Sequence, residues 1–533
     1  MFVEQYEGGA ELTTEALIQG TYFPCNKILS SDPNLYNIMH QNNKAFWIFG
    51  NFDSVSERCL LYAAKNLDYL VLEYDYKYCK YRSPGKHITV DGNCACENDR
   101  KGKVVSIFLN NSKISWWMSS AQLEHYQNLF PFLKNHTNKV LSSVFSEEKI
   151  NYILSLNVAN KNNKYLILNS PSWIKGVEDA VDFAKQNNLE YELVWGLKHK
   201  ELLAKLAKSK GIIFFPRAAD TCPRMTIEAK LLNCDLIMND NVQHKNESWF
   251  QSKETTLEYL KQRTEVFWNE VEEIASNVLL LPKLHKDKDE EIKFNFIVPF
   301  YNCEKWITKC IRSIKRQKYK NFTCTLIDDV SIDQSSDIIE KVIKDDERFT
   351  LIKNLEKKYA LANIVTAIDS LNCGNEEVII LLDGDDWLSS ARVLDHLSKI
   401  YDKDALVTYG SYVYNPGGQK GVEPSEYPAE IIQTNAFRKD VWRASHLRTF
   451  KYGLWKKINK KDLKDETGKF YEMTYDQAIM LPLLEMSSGR TAYIPEVLHV
   501  YNRQNPLNVD KIKAQKQFEL ATMIRNKKPY EKI

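Results

Sequence analysis

The sequence predicts an α/β protein: two Rossmann-like lobes followed by a larger α/β domain. Three observations lead there. Apolar runs of strand length alternate with amphipathic helical stretches along most of the chain, the pattern of parallel βαβ units. The stretch LPKLHKDKDEE at 281–291 breaks that alternation with charges of both signs and marks a seam. The length of 533 residues, at about 150 per domain, allows three to four domains.

Before the seam, 45–49 (AFWIF) and 69–72 read as strands around a helix at 57–64. Strands at 164–168, 192–195 and 211–215 repeat the theme, with helices at 177–186 and 200–208 between them. Usual domain sizes favour two lobes here over one large sheet. After the seam the order is strand 294–298, helix 306–317, strand 322–328, helix 335–344, strand 349–353, helix 360–371 and strand 378–382. A helix at 389–399 follows, and 509–525 reads as a surface helix rich in Lys and Gln. The expected domains are 1–155, 156–285, 286–508 and a C-terminal helix at 509–533. No period of about 20 to 50 residues repeats, which argues against a solenoid.

Composition narrows the function classes. The 72 Lys and Arg against 70 Asp and Glu leave a net charge of +2, so no overall field announces a nucleic-acid or membrane protein, and any charged site is local. Eleven scattered cysteines form no disulfide framework, and acids stand where a secretory leader has a basic, then apolar, start. A cytoplasmic location is expected. The longest apolar runs fall short of the roughly 20 residues needed to span a bilayer, so no transmembrane segment is expected.

The strongest chemical signal is IILLDGDDW, a strand that delivers Asp383, Asp385 and Asp386 into a turn at its carboxyl end. Three close carboxylates repel one another, and a divalent cation with hard oxygen ligands, Mn²⁺ or Mg²⁺, compensates them. The bland alternative is a solvated acidic turn capping the helix at 389–399. Two earlier strands end in VPFYN (298–302) and IDDVSID (327–333), so three strand ends present polar groups at the edge where α/β sheets bind ligands.

The motifs IVPFYN, LIDDVSIDQSSD and LLDGDDW, spaced by about 30 and 55 residues, resemble the family-2 glycosyltransferases with the GT-A fold over roughly 293–503. That resemblance implies a nucleotide-sugar donor, UDP-linked, and a GT-A nucleotide-sugar-binding domain. It implies that Pro299, Tyr301 and Asp329 hold the nucleoside, that Asp383 faces the sugar side, and that Asp385, with Asp386 beside it, holds Mn²⁺ or Mg²⁺. Val330 stands where the family usually has Gly. The family places a catalytic base at an acidic position opening a later helix. Asp476, about 90 residues beyond the acidic turn, is the matching position, with Glu472 in reserve and Tyr475 where the family usually has Glu. The resemblance implies a single, inverting displacement on an acceptor hydroxyl. His446 and Arg448, in SHLRTFK, are similar to segments on the acceptor or diphosphate side; the competing reading of a lone His is a satisfied structural one. His499 reads as a buried strand residue, with metal ligation as the alternative.

The segment FPRAADTCPRMTIEAK at 215–230 resembles the nucleotide-binding part of family-4, GT-B glycosyltransferases. Asp220 and Glu228 keep that family's eight-residue spacing, with Asp for the first Glu, and Lys175 with Gly176 resembles its KG element. The implication is GT-B-like lobes and a second nucleotide site at Lys175, Asp220 and Glu228; the alternatives are a helix-capping Glu228 and a scaffold that holds an acceptor or partner. Cys79, His87, Cys94 and Cys96 invite a zinc reading, but the spacing has no CxxC pair, and ordinary buried cysteines are the expectation. The basic runs at 309–320 and 451–464 suit phosphates or nucleic acid, against the reading of solvated helix faces. The rival functions are a non-catalytic nucleotide-sugar or glycan binder and a nucleotidyltransferase. The acceptor, whether glycan, protein, lipid or modified nucleic acid, and the oligomeric state are not encoded in any motif.

Overall fold

The computed structural model describes residues 8–156, 160–282, 292–508 and 514–533. Most of the charged seam, 283–291, and the first residues of the expected tail helix, 509–513, lie outside them. The chain divides into two compact units, Met1–Thr21 with Lys27–Val278, and Tyr22–Asn26 with Leu279–Ile533. Among the described residues, no helix is long and apolar enough to cross a membrane.

The first unit holds two four-stranded sheets. Strands β1 (Phe46–Phe49), β2 (Asp68–Glu73), β3 (Ser115–Trp117) and β4 (Asn138–Val140) pair in parallel, in consecutive order. Winding never reverses in such an order, so no switch point arises among these four strands. Its core is aromatic, with Phe49, Tyr69, Phe108, Trp117 and Tyr126 fully buried. The second sheet runs β6 (Tyr191–Val194), β5 (Tyr165–Leu168), β7 (Gly211–Phe214), β8 (Asp235–Met238), again all parallel, and here winding reverses between β5 and β7.

The second unit is built on one eight-stranded sheet. Strands β9 (Phe294–Phe300), β10 (Phe322–Asp328), β11 (Phe349–Lys353) and β12 (Val378–Leu381) form a parallel half in the order β11-β10-β9-β12. Strands β13 (Trp387–Leu388), β14 (Val407–Asn415), β15 (Arg448–Lys451) and β16 (Thr491–Asn502) continue it as β15-β14-β16-β13, with β15 antiparallel to β12. The apolar runs are continuous because both faces are covered. Ile297, Ile379 and Leu381 enter one core with the helix Tyr475–Met486, while Phe296, Val298, Val378 and Ile380 enter the other with the helix Ile307–Lys315. Winding reverses between β9 and β12, and the carboxyl ends at such a reversal are where open α/β sheets bind ligands.

The helix expected at 389–399 is corrected: it begins only at Val393 and runs to Tyr401, because Trp387 and Leu388 pair with Val500 and His499. The acidic turn therefore joins two strands and caps no helix. The helix expected to open at Asp476 runs from Tyr475 to Met486, which places Asp476 inside its first turn.

Candidate active site

Residue alternation aims the acidic turn. Ile379 and Leu381 point to the face that carries the helix Tyr475–Met486, so Asp383, two residues on, meets that helix. Both Asp383 oxygens accept from the Tyr475 hydroxyl, at 2.8 and 2.7 Å. Gly384 follows because the chain passes tightly under β9: its N–H donates to Pro299 O at 3.1 Å, and a Cβ there would lie 2.5 Å from the Phe300 Cβ. Asp385 accepts from Asn505 Nδ2 at 2.7 Å. Asp386, buried, accepts from the Asn502 N–H at 2.8 Å and lies 2.8 Å from His499 Nε2.

The electrostatics follow from burial. Burial pushes the Asp385 carboxyl up to about 8, and Asp386 and Asp383 add to the shift. Asp386 is likewise driven well above the ordinary carboxylate range by burial and then by Asp383. Asp383 also rises by burial, with Tyr475 and Arg448 pulling the other way. Burial pushes His499 down to about 3 and His446 well below the ordinary histidine range, so both imidazoles are neutral. Their rings stack at 4.4 Å, and donor atoms of Asp386, His446 and His499 all lie within 4.8 Å of one another. His499 Nδ1 is buried with no hydrogen-bond partner. Asp386 and the two neutral imidazoles, one with an unsatisfied ring nitrogen, form a donor set that fits a divalent cation, and Asp383 lies close enough in the same turn to raise the Asp385 and Asp386 carboxyls further.

Arg448 enters from β15 and is buried. Its guanidinium lies 3.6 Å from Asp476 Oδ2, 3.5 Å from His446 Nε2 and 5.9 Å from the centre of the Tyr475 ring. Asp476 keeps 23% of its side chain exposed, enough to meet a ligand. The reserve acid Glu472 pairs with Lys516.

At the end of β9, the Tyr301 ring lies 3.1 Å from Lys357 Nζ, and Asn302 Oδ1 accepts from the Ile332 N–H at 2.8 Å. Val330 sits in the left-handed region at φ 66°, a conformation that suits the glycine expected there. Asp329 is buried and caps nothing in the helix Ser335–Ile343. It accepts from the N–H groups of Lys358 at 2.7 Å and Tyr359 at 3.1 Å and from Asn363 Nδ2 at 3.0 Å, which fixes the loop that carries Lys357.

The residues singled out in the first unit gather differently. Lys175 Nζ pairs with Asp220 Oδ2 at 2.6 Å, beyond the ends of β5 and β7 where winding reverses. Glu228 lies mid-helix in Arg224–Leu231, caps nothing and pairs with His199 Nε2 at 2.8 Å. Lys309, in the basic run read as suiting phosphates or else as a solvated helix face, lies 4.2 Å from the Trp387 ring and is pushed down to about 8 by burial.

Sequence reasoning missed Asn502, Asn505 and Asn363 as partners of the acids, since no local pattern marks an asparagine that contacts a carboxylate far along the chain. It also missed Tyr22, whose carbonyl accepts from Trp387 Nε1 at 2.8 Å beside the acidic turn.

Residues 295–463 match the family model "Glycosyl transferase family 2". A teichoic acid poly(glycerol phosphate) polymerase of Staphylococcus epidermidis is 32% identical over 119 residues, 22% of this chain and 16% of that protein. The glycosyltransferase GlyA of Streptococcus pneumoniae is 24% identical over 220 residues, 39% of this chain and 30% of that protein. The chain thus spans less than a third of the length of either relative. The crystal structure of S. aureus TarS 1-349 in complex with UDP-GlcNAc matches with TM-score 0.35 and 17% identity, over 44% of this chain and 65% of that one.

Proposed function

We propose that the second unit transfers a sugar from a UDP-linked donor to an acceptor hydroxyl, inverting the anomeric carbon, with Mn²⁺ or Mg²⁺ bound. The observation that carries this reading is the delivery of Asp383, Asp385 and Asp386 to the point where winding reverses, tied through Tyr475 to the helix start that presents Asp476. Pro299, Tyr301 and Asp329, at the ends of β9 and β10, hold the nucleoside, and Asp383 faces the sugar. His446 and Arg448 lie on the diphosphate or acceptor side. Asp385 and Asp386 are the residues to hold the cation, with His446 and His499 as further donors, and the bound ion would neutralise charge developing on the departing nucleoside diphosphate.

An acceptor hydroxyl is a weak nucleophile until a positioned carboxylate takes its proton. Asp476 takes that proton as the oxygen attacks, and the buried Arg448 guanidinium at 3.6 Å compensates the carboxylate and orients it. One displacement from the face opposite the leaving group inverts the centre. Glycan, protein, lipid and modified nucleic acid all offer such an acceptor. The first unit reads best as a scaffold for the acceptor or a partner, because Asp220 is already paired with Lys175 and Glu228 with His199. Eleven free cysteines suit a reducing compartment, in keeping with a cytoplasmic location.

The test is calorimetry with UDP and Mn²⁺, followed by a screen of sugar nucleotides for UDP release. Asp385→Ala is expected to abolish metal-dependent UDP binding; unchanged UDP and Mn²⁺ affinity in that variant would remove the metal assignment. Metal-dependent UDP binding with no donor turned over would make the chain a binder, and release of pyrophosphate from a triphosphate would make it a nucleotidyltransferase.

A further inference from the structure

Apart from the site above, the described residues hold one other cluster of metal-ligating side chains within reach of a single ion: Cys79, His87, Cys94 and Cys96 in the first unit. Their ligating atoms all lie within 4.8 Å of one another. His87 Nδ1 is 3.5 Å from Cys79 Sγ and 3.3 Å from Cys96 Sγ, and the sulfurs of Cys94 and Cys79 are 3.8 Å apart. A tetrahedral zinc ion with Zn–S of about 2.3 Å and Zn–N of about 2.0 Å sets sulfur–sulfur edges of about 3.8 Å and sulfur–nitrogen edges of about 3.5 Å. These three edges match those of a tetrahedron around zinc, and the remaining ones are under 4.8 Å. The sulfurs are far beyond the roughly 2.05 Å of a disulfide, and all four positions are shielded, with Cys79, His87 and Cys96 buried.

The surroundings complete the donor set. His87 turns Nδ1 toward the sulfurs while its Nε2 lies 3.1 Å from Asp91 Oδ2, one helical turn on. A carboxylate in that position fixes the tautomer that leaves Nδ1 unprotonated and able to ligate. The four residues lie within 18 positions, around the helix Pro84–Asp91. That helix leaves Ile88 and Val90 exposed and brings little apolar surface to the core, so another force must hold it.

We infer that Cys79, His87, Cys94 and Cys96 bind one structural Zn²⁺, which pins the loop after β2 to the segment leading into the helix Arg100–Asn110. The missing CxxC pair argued for isolated buried cysteines; the short helix restores the geometry by folding His87 back between Cys79 and Cys96. The ion would steady the loop that carries Lys77 and Arg82, where Lys77 is buried between Glu73 at 2.9 Å and Asp75 at 3.2 Å.

The test uses the full chain, purified under reducing conditions and dialysed against a chelator that strips Mn²⁺ and Mg²⁺. Elemental analysis is expected to find about one zinc per chain, released by a thiol-specific mercurial. Replacement by Co²⁺ is expected to give the intense visible bands of a tetrahedral site with sulfur ligands. Cys96→Ser is expected to lose the zinc, Asp91→Asn to weaken it by about tenfold or more, and Cys222→Ser, at a buried cysteine elsewhere, to keep it. Because misfolding of Cys96→Ser would also lose zinc, the wild-type cobalt spectrum decides: no retained zinc and no tetrahedral Co²⁺ spectrum overturns the inference. So does iron in place of zinc, or a disulfide among these cysteines under non-reducing mass spectrometry.

Discussion

The Tyr475 hydroxyl donates to both carboxylate oxygens of Asp383, at 2.8 and 2.7 Å, and so ties the helix that carries Asp476 to the strand end that carries the acidic turn. Tyr475 sits where a second acid would repel Asp383. The tyrosine attracts it instead, and burial and the neighbouring carboxylate hold its own proton on, well above the ordinary phenol range. A hydrogen bond to a charged group contributes about 1.5–3 kcal/mol, so Tyr475→Phe is expected to lower kcat/KM for the donor by about tenfold or more while circular dichroism stays that of the parent. Parent kinetics in the variant would show that the link has no part in the reaction.

Asp476 separates binding from chemistry. If it takes the acceptor proton, Asp476→Asn keeps shape and hydrogen bonding but not basicity, and kcat is expected to fall by about a hundred- to ten-thousandfold. Calorimetric affinity for UDP with Mn²⁺ is expected to match the parent, because the donor-side acids are untouched. Loss of donor binding in step with activity would instead assign Asp476 to the donor site.

Val330 tests the turn beside the proposed nucleoside position. Its φ of 66° is one a β-branched residue adopts only under strain, of about 1–2 kcal/mol for a side chain in the left-handed region. Val330→Gly removes that strain but adds freedom to the unfolded chain, which takes back about 0.4–1 kcal/mol. A net gain of about 1 kcal/mol is expected in urea unfolding, with Val330→Ala gaining less. A destabilised glycine variant would mean that packing of the half-buried valine outweighs the strain.

The legible parts of the fold are those with a strong local period. The strands and helices from 294 to 382 were readable because both sheet faces are covered, which makes the strands continuously apolar and the helices one-sided. Strands β3 and β4, three residues each, carry no period at all. In the site, the acidic turn announces itself as a motif, but its partners do not: Asp386 and His499 are 113 residues apart and meet only because β13 pairs with β16. His499 is buried in its strand, as its surroundings suggested, and also faces the turn. The segment Tyr22–Asn26 joins the second unit through contacts such as Trp387 Nε1 to Tyr22 O, which no local pattern foretells.

The last prediction concerns acid stability and rests on His244 in the first unit. This residue is fully buried, stacked on Trp249 at 5.4 Å and edge-on to Phe250 at 4.5 Å. The Thr226 hydroxyl donates to Pro223 O at 2.8 Å, so its oxygen accepts from His244 Nε2–H at 3.1 Å, and Nδ1 is left unprotonated with no partner. Protonating Nδ1 would place an unpaired N–H in an apolar cage, and burial accordingly pushes His244 from 6.5 down to about 4. The unfolded chain takes up this proton near 6.5 and the folded chain only near 4, so the stabilising contribution is complete above 6.5 and is lost as pH falls toward 4. The loss amounts to about 3 kcal/mol. His244→Gln keeps an N–H for Thr226 and cannot titrate, so its urea-unfolding stability is expected to fall less steeply than that of the parent across this window, by about one proton in the slope. Parallel pH profiles for the two proteins would show that His244 does not govern the acid limb.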